Sequence, residues 1–371
     1  MANKRVVVKI GSSSLTEKDG RLSLFKLKGH ADAIARLVQA GMEVVLISSG
    51  AVSAGFGNLG YSSKPVTVSG KQAAAAVGQG LLIEAYNDAF KKYDMVCAQL
   101  LLTRDVFVNQ EQFSNVYQTI TELLKRSVIP IINENDSVAI DELTFGDNDM
   151  LSALVSGLVN ADYLILLTDI NGIYDANPNQ DPLAKKYHYL DSISDDLIKQ
   201  TSETSSSKVG TGGMKSKLLA AQTSLSLGVD AFVGLGEGEE KFLNIIDGNG
   251  DGTYIGNHQT YHIRKQKQWI AFHSNISGQI EIDKGAQQAI ILKGKSLLPV
   301  GIKEVINTFE AGEVVELIYQ NNVVAKGQVS YSSDELFKVK GLGSIEAMKI
   351  TNRKRPEVIH RNKLVLTLQG V

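Results

Sequence analysis

The sequence predicts an α/β fold, a mainly parallel open sheet sandwiched by helices, followed by a small mostly-β domain. Three observations carry this expectation. Short apolar, β-branched runs alternate with stretches whose apolar residues recur at helical spacing, from Val6 to Leu235. Nearly every such run ends in small, hydroxyl, amide or carboxylate residues, where an α/β sheet binds its ligand. Beyond Gln266 the texture changes to short strand candidates separated by turns and glycines, without long helical stripes.

A chain of 371 residues is too long for one ordinary core, so two domains are expected. The boundaries read as a first domain over 1–260, a linker over 261–274 and a second domain over 275–371. Apolar content of 43 % and charged content of 21 % are ordinary for a globular protein. No apolar run reaches the length of a membrane span, and Met1–Arg5 leads into a strand-like run with no signal-peptide core. The single cysteine, Cys97, rules out an internal disulfide and fits a reducing cytoplasm. Its apolar surroundings suit a buried structural thiol. Lys and Arg number 22 against 30 Asp and Glu over 1–261, but 16 against 10 over 262–371. A basic second domain suits nucleic acid, or is simply a basic surface.

In chain order, Val6–Ile10 is a buried strand whose one charge, Lys9, stands beside the turn Gly11–Ser14. Leu24, Leu27, Ala31, Ile34, Leu37 and Val38 form a helical stripe ending at Gly41. Glu43–Ile47 is the second strand and runs into Ser48–Val52. Lys71–Tyr93 is an Ala-rich helix and Met95–Leu102 a third strand. Asn109 with Gln112 opens a helix in the manner of a capping box. Val128–Ile132 is a fourth strand ending in Asn133–Asp136. Gly146–Asp149 opens the helix Leu151–Val159, and Tyr163–Leu167 is a fifth strand ending in Thr168–Asp169. Residues 174–209 are polar and loop-rich, 215–228 read as a helix and Ala231–Leu235 as a strand. Gly236–Asn257 reads as a loop and domain exit. In the second domain Gln279–Ile282, Ala289–Leu292, Val314–Tyr319, Val323–Val329 and Glu335–Val339 are strand candidates.

Gly210–Lys217 (Gly-Thr-Gly-Gly-Met-Lys-Ser-Lys) combines a glycine-rich turn, a hydroxyl, two lysines and a helix N-terminus. Such a stretch lets several N–H groups point at one polyphosphate. Taken alone, it reads equally as a surface turn before a capped helix. Lys9 and Lys217 together suit phosphoryl transfer, which needs positioning and positive charge near a dispersed negative transition state. Singly, Lys9 also reads as a strand end reaching for water, and Lys217 as a helix-surface lysine. Asp136, Asp147, Asp149 and Asp169 lie at element termini, where they can hold Mg²⁺, orient a lysine or bind a substrate ammonium. Asp147 and Asp149 fit helix N-capping equally well. The six histidines (His30, His188, His258, His262, His273, His360) show no metal-ligand spacing, and no His/Cys cluster suggests zinc. Neither Gly-x-x-x-x-Gly-Lys-Ser/Thr nor, in the first βα turn, Gly-x-Gly-x-x-Gly is present. A kinase outside the P-loop architecture is the leading deduction.

Seven segments in the same order resemble the glutamate 5-kinases of the amino acid kinase family. They are Val7–Ser12, Ile47–Val52, Ala75–Gln79, Ile132–Asp136, Phe145–Asp149, Leu166–Asp169 and Gly210–Met214. Gly278–Ala286 and Lys295–Ile302 are similar to the PUA domain appended to many bacterial members. The resemblance implies the amino acid kinase fold, with ATP-dependent phosphorylation of the γ-carboxylate of L-glutamate, the first step of proline biosynthesis. It implies that Lys9 and Lys217 contact the phosphates and stabilise the transferring group, with Asp149 orienting both. Ser49, Asp136 and Asn148, with the backbone of Gly50 and Ala51, would hold glutamate. Thr168 and Asp169 with Thr211, Gly212, Gly213, Met214, Lys215, Ser216 and Lys217 would line the ATP site. ATP is the implied co-substrate and Mg²⁺ the implied cofactor, bridging phosphates, with no metal-binding residue assigned. A homo-oligomer (dimer or tetramer), feedback inhibition by proline and RNA contact through the PUA-like domain are further expectations. No membrane association is expected. Lys215 and Ser216 stand where many members carry Ser-Thr or x-Thr, so the hydroxyl is kept and a charge is added. Kinases of aspartate, acetylglutamate, carbamate and uridylate are the nearest rivals, and an RNA-binding regulator is the rival of another class.

Overall fold

The computed structural model describes residues 4–138, 148–176, 178, 181–203, 213–256, 270, 274–291 and 293–366. By internal contacts the chain divides into two compact units. One comprises Met1–Val106 with Ser114–His262, the other Phe107–Phe113 with Ile263–Val371.

The first unit opens with β1 (Arg5–Ile10), α1 (Leu24–Gln39), β2 (Glu43–Ser48), the short α2 (Ala51–Gly55) and α3 (Val68–Lys91). β3 (Cys97–Leu102), α4 (Asp105–Val108), α5 (Gln110–Lys125), β4 (Ile129–Glu134), α6 (Asn148–Leu158) and β5 (Tyr163–Leu167) follow, the end of α4 and the start of α5 (Phe107–Phe113) counting with the other unit. Next come β6 (Ile173–Tyr174), β7 (Lys186–Tyr187), β8 (Tyr189–Leu190), α7 (Asp195–Glu203), α8 (Met214–Ser226), β9 (Asp230–Gly234), α9 (Lys241–Ile246) and β10 (Gly252–Ile255). Asn109 caps α5 as its sequence predicts, its side-chain oxygen accepting from the N–H groups of Glu111 and Gln112 at 3.0 Å each.

Eight of these strands form one sheet in the order β3-β4-β2-β1-β5-β9-β10-β8. All neighbours from β3 to β9 are parallel, and only β9–β10 is antiparallel. The chain grows outward from β1 to β2, then crosses back to lay β5 on the other flank of β1. The strand order therefore reverses beside β1, the place at which sheets of this kind bind ligands at the C-terminal ends of their strands. Helices α1, α3 and α9 pack one face through a core that includes Val6, Val8, Ile10, Ile34, Leu82, Phe90 and Phe242. Helices α6 and α8 pack against each other and against β1, β2, β5 and β9. Burial on both faces is why Val6–Val8 and Val44–Ile47 read as unbroken apolar runs.

One expectation for this unit is corrected. Gly236–Asn257 is not a loop throughout but contains α9 and β10. The loop-rich stretch 174–209 begins at the end of β6 and carries β7, β8 and the helix α7 among its described residues. Gly, Asp and Glu set the composition around α9, yet Phe242 and Ile245 are buried and dock the helix.

The second unit holds β11 (Ile276–Ile282), α10 (Lys284–Ile291), β12 (Ile302–Ile306), β13 (Val314–Tyr319), β14 (Asn322–Gln328), α11 (Ser333–Val339), α12 (Ser344–Thr351) and β15 (Leu364–Leu366). Its sheet runs β12-β11-β13-β14-β15, with only β11–β13 parallel. Its own core includes Ile280, Val315, Leu317, Tyr331 and Leu336. Two strand candidates here fall in helices. Ala289–Ile291 ends α10, which starts where Asp283 Oδ1 accepts from Ala286 N at 2.7 Å. Glu335–Val339 lies in α11, opened by a capping box: Ser332 Oγ accepts from Glu335 N (3.3 Å) and Glu335 Oε2 from Ser332 N (2.9 Å). Local hydrogen bonds overrode the apolar texture. Among the described residues, no helix is long and apolar enough to cross a membrane.

Candidate active site

Lys9 sits one residue before the C-terminal end of β1, Asp149 in the first turn of α6 and Lys217 in the first turn of α8. The sheet brings these three to one point. Lys9 Nζ lies 2.5 Å from Asp149 Oδ1, and Lys217 Nζ lies 3.0 Å from Asp149 Oδ2. Asp149 is fully buried, and both lysine side chains are nearly so. Burial alone pushes the Asp149 carboxyl up, but the two ammonium groups outweigh it and hold the carboxyl below its ordinary range. The positive end of α6 favours the carboxylate further. Ser216 Oγ lies 2.9 Å from Asp149 Oδ2 and 2.8 Å from the Gly213 carbonyl oxygen. Counted by themselves, these three side chains carry two ammoniums and one carboxylate, gathered at the C-terminal end of β1.

Asn148 precedes Asp149 and reaches the other way. Its Nδ2 donates to Ser49 Oγ and to Asn133 Oδ1, each at 2.8 Å. Asn133 Oδ1 also accepts from the backbone N–H of Glu134 at 2.9 Å. A backbone N–H can only donate, so Asn133 must turn its oxygen there, and Asn148 must answer with its NH₂ group. That sets the polarity of the whole chain. Asn148 Oδ1 is left buried, without a hydrogen-bond partner among the described residues. It is an acceptor awaiting a donor. Ser49 Oγ, already accepting from Asn148, keeps its own proton to donate.

Ser49 leads into Gly50, which takes a left-handed conformation (φ +110°) and caps α2 at Ala51. Two glycines further on allow α2 to lie close against α3. A Cβ on Gly78 of α3 would lie 1.8 Å from the Ala51 carbonyl oxygen, and one on Gly55 would lie 2.1 Å from the Ala74 carbonyl oxygen. The two helices touch backbone to backbone, which explains the glycine in Ala75–Gln79.

The remaining predicted residues are placed as follows. Asp136 lies on the turn after β4, half-buried, and burial pushes its carboxyl up to about 6. Thr168 and Asp169 follow β5, Thr168 Oγ1 donating to Asp169 Oδ1 at 3.1 Å. Gly213 is the N-cap of α8, and Lys215 on its first turn is exposed. Thr211 and Gly212, like Asp147, lie outside the described residues. Among the described residues no hydrogen bond joins Asp136, Thr168 or Asp169 to the Lys9–Asp149–Lys217 cluster. Asn133, bonded to Asn148, is a candidate that sequence reasoning gave no role; an amide at a strand's C-terminal end, within Asn133–Asp136, was the available signal.

Comparison with known proteins identifies the family. The family model described as "Amino acid kinase family" matches residues 4–233, and that described as "PUA domain" matches residues 278–351. A protein of Bacillus cereus named glutamate 5-kinase is 56 % identical over 366 residues, covering 98 % of this chain and all of its own. One of the same name from Halalkalibacterium halodurans is 56 % identical over 367 residues, covering 99 % of this chain and 98 % of its own. The structure of carbamate kinase from Giardia lamblia bound to AMP-PNP superposes with a TM-score of 0.51 at 18 % identity, covering 69 % of this chain and 99 % of that one. At that identity the likeness speaks for the fold alone. The chain belongs to the amino acid kinase family, among its glutamate 5-kinases, and carries a PUA domain in its C-terminal part.

Proposed function

We propose that the protein transfers the γ-phosphoryl group of ATP to the γ-carboxylate of L-glutamate, releasing ADP and L-glutamyl 5-phosphate. The names of its full-length relatives support the substrate. The observation that carries the chemistry is the pair of lysines tethered to Asp149 beside a hydroxyl–amide cluster. A carboxylate oxygen attacks phosphorus as the bond to the ADP oxygen breaks. No general base is required, because the carboxylate is already ionised at neutral pH. Negative charge spreads over the transferring group, and Lys9 and Lys217 supply positive charge there without reorganising, since Asp149 holds both. Asn148 Oδ1 and Asp136 suit the substrate ammonium, while the Ser49 hydroxyl and the N–H groups at Gly50–Ala51 suit its α-carboxylate. Thr168, Asp169 and Gly213–Lys217 are our candidates for the nucleotide side.

Mg²⁺ supplies charge neutralisation on the phosphates of a kinase's nucleotide. The described residues hold no group of three or more His, Cys, Asp or Glu side chains fit for a metal ion, and Asp149 is taken by two lysines. We therefore assign no residue to the ion, which commonly binds through substrate phosphates and water. A cytoplasmic location belongs to the same proposal.

The test is a panel of glutamate, aspartate, acetylglutamate and UMP with ATP, turnover being read as ADP released for every acceptor and any acyl phosphate being trapped as a hydroxamate. Turnover confined to glutamate is expected; a preference for another acceptor would overturn the reading. Asp136 adds a pH signature. Burial raises its pKa to about 6, so the ionised form that pairs with an ammonium is lost as pH falls through about 6. We expect kcat/KM for glutamate to drop about tenfold per pH unit below that point. Asp136→Asn should lower kcat/KM and flatten this limb; a retained limb would assign it to another group.

A further inference from the structure

Next to Asn133 lies a small, partly open cavity of about 10 Å³, where Ser48, Gln79, Tyr86, Asn133 and the exposed Gln99 stand among apolar side chains. That is room for the centre of one water molecule. The polar atoms around it are unusually one-sided. Gln79 Oε1 accepts from Gln99 Nε2 at 3.1 Å, and Asn133 Oδ1 is occupied by Glu134 N and Asn148 Nδ2. Each amide thus has its NH₂ left over, and Gln79 Nε2 and Asn133 Nδ2 are both buried without a partner among the described residues. Ser48 Oγ lies 3.1 Å from the Ser49 carbonyl oxygen, to which it donates, and 2.9 Å from Tyr86 Oη. Either hydroxyl of the Ser48–Tyr86 pair can donate; with the Ser48 proton on the Ser49 carbonyl it is Tyr86 that donates, and burial pushes its phenol up, keeping it protonated. The Tyr86 oxygen retains lone pairs for another donor.

Two buried donors and one acceptor around a one-molecule space define the guest. A cation is repelled by the two NH₂ groups, and a hydrocarbon would leave both donors unmet at a cost neither helix nor sheet recovers. Water satisfies all three partners, accepting twice and donating once, the usual coordination of a buried water.

We propose that one water molecule is bound here as a structural part of the site, and that Gln79 is a positioning residue for Asn148. Gln79 acts through that water on Asn133, whose amide sets the direction in which Asn148 Oδ1 faces. This gives the last residue of Ala75–Gln79 a role: Gly78 brings α3 against α2, and Gln79 holds the floor of the acceptor site. The inference deepens the proposed function, because it rests on Asn148 as a glutamate ligand.

Two experiments test it. A crystal structure of the unsubstituted protein at about 1.8 Å or better should show one solvent peak within hydrogen-bonding distance of Gln79 Nε2 and Asn133 Nδ2. Its absence would overturn the water site whatever the enzyme does. Gln79→Met keeps the length of the side chain and removes the amide. It should raise KM for glutamate about tenfold while KM for ATP and kcat stay within about twofold. A merely structural role would lower the amount of folded enzyme without that split. Unchanged KM for glutamate in a folded Gln79→Met protein would overturn the positioning role. Should that variant not fold, the solvent peak still decides. Failure of the unsubstituted protein to phosphorylate glutamate is seen in the panel assay first, and counts against the kinase reading alone.

Discussion

Lys217→Ala is expected to reduce acyl phosphate formation from glutamate by about a thousandfold, while the folded protein survives. The kinetic magnitude follows from removing one of two fixed charges that face a dispersed negative transition state. Survival of the fold follows from what remains. Breaking a buried ion pair by deleting one partner ordinarily costs about 3–5 kcal/mol, because the other charge is left unpaired. Here Asp149 keeps Lys9 at 2.5 Å and Ser216 Oγ at 2.9 Å, so its carboxylate is not stranded. Hydroxamate trapping measures the first quantity and thermal unfolding the second. Full turnover in Lys217→Ala would sink the assignment of this lysine. The opposite substitution sharpens the contrast: Asp149→Ala leaves two buried ammonium groups facing each other, so stability and activity should fall together.

How far the site was legible in the sequence depends on the kind of contact. The strands of the large sheet announce themselves because β1, β2, β4 and β5 are buried on both faces, and the residues after them are polar for the same topological reason. Lys9 at the end of β1 could be singled out on that ground. Its pairing with Asp149 could not, since 140 positions separate them and only the order β2-β1-β5, with α6 laid across it, closes the gap. Family resemblance supplied that pairing before the geometry did. The polarity of the Glu134–Asn133–Asn148–Ser49 chain was not legible at all, because it depends on which backbone N–H an amide oxygen meets in space. Composition misled where it was strongest. Glycine and acid around α9 hid the docking of Phe242, and the apolar run Leu336–Val339 hid a capping box spelled Ser332-Ser333-Asp334-Glu335.

The close approach of α2 and α3 gives the other large effect. In Gly78→Ala, the new Cβ would stand 1.8 Å from the Ala51 carbonyl oxygen and 2.7 Å from Gly55 N. These are backbone atoms, so no side chain can swing aside, and one helix must move by more than an ångström. Overpacking of this kind costs about 3 kcal/mol or more, which for a unit of this size lowers Tm by roughly 5 °C. The displacement has a functional direction too. Helix α2 begins at Ala51, directly after the Gly50 turn and two residues after Ser49, so moving it pulls on the Ser49–Asn148 hydrogen bond. The Lys9–Asp149–Lys217 cluster is held by β1, α6 and α8 and is not tied to α2. KM for glutamate should therefore rise about tenfold or more, while KM for ATP changes little. Gly80→Ala is the control on the same helix. Nothing lies within 4 Å of a Cβ there, so the gain in helix propensity of up to about 1 kcal/mol should appear as equal or slightly higher stability. If Gly78→Ala and Gly80→Ala melt alike and bind glutamate alike, the backbone contact does not position this site.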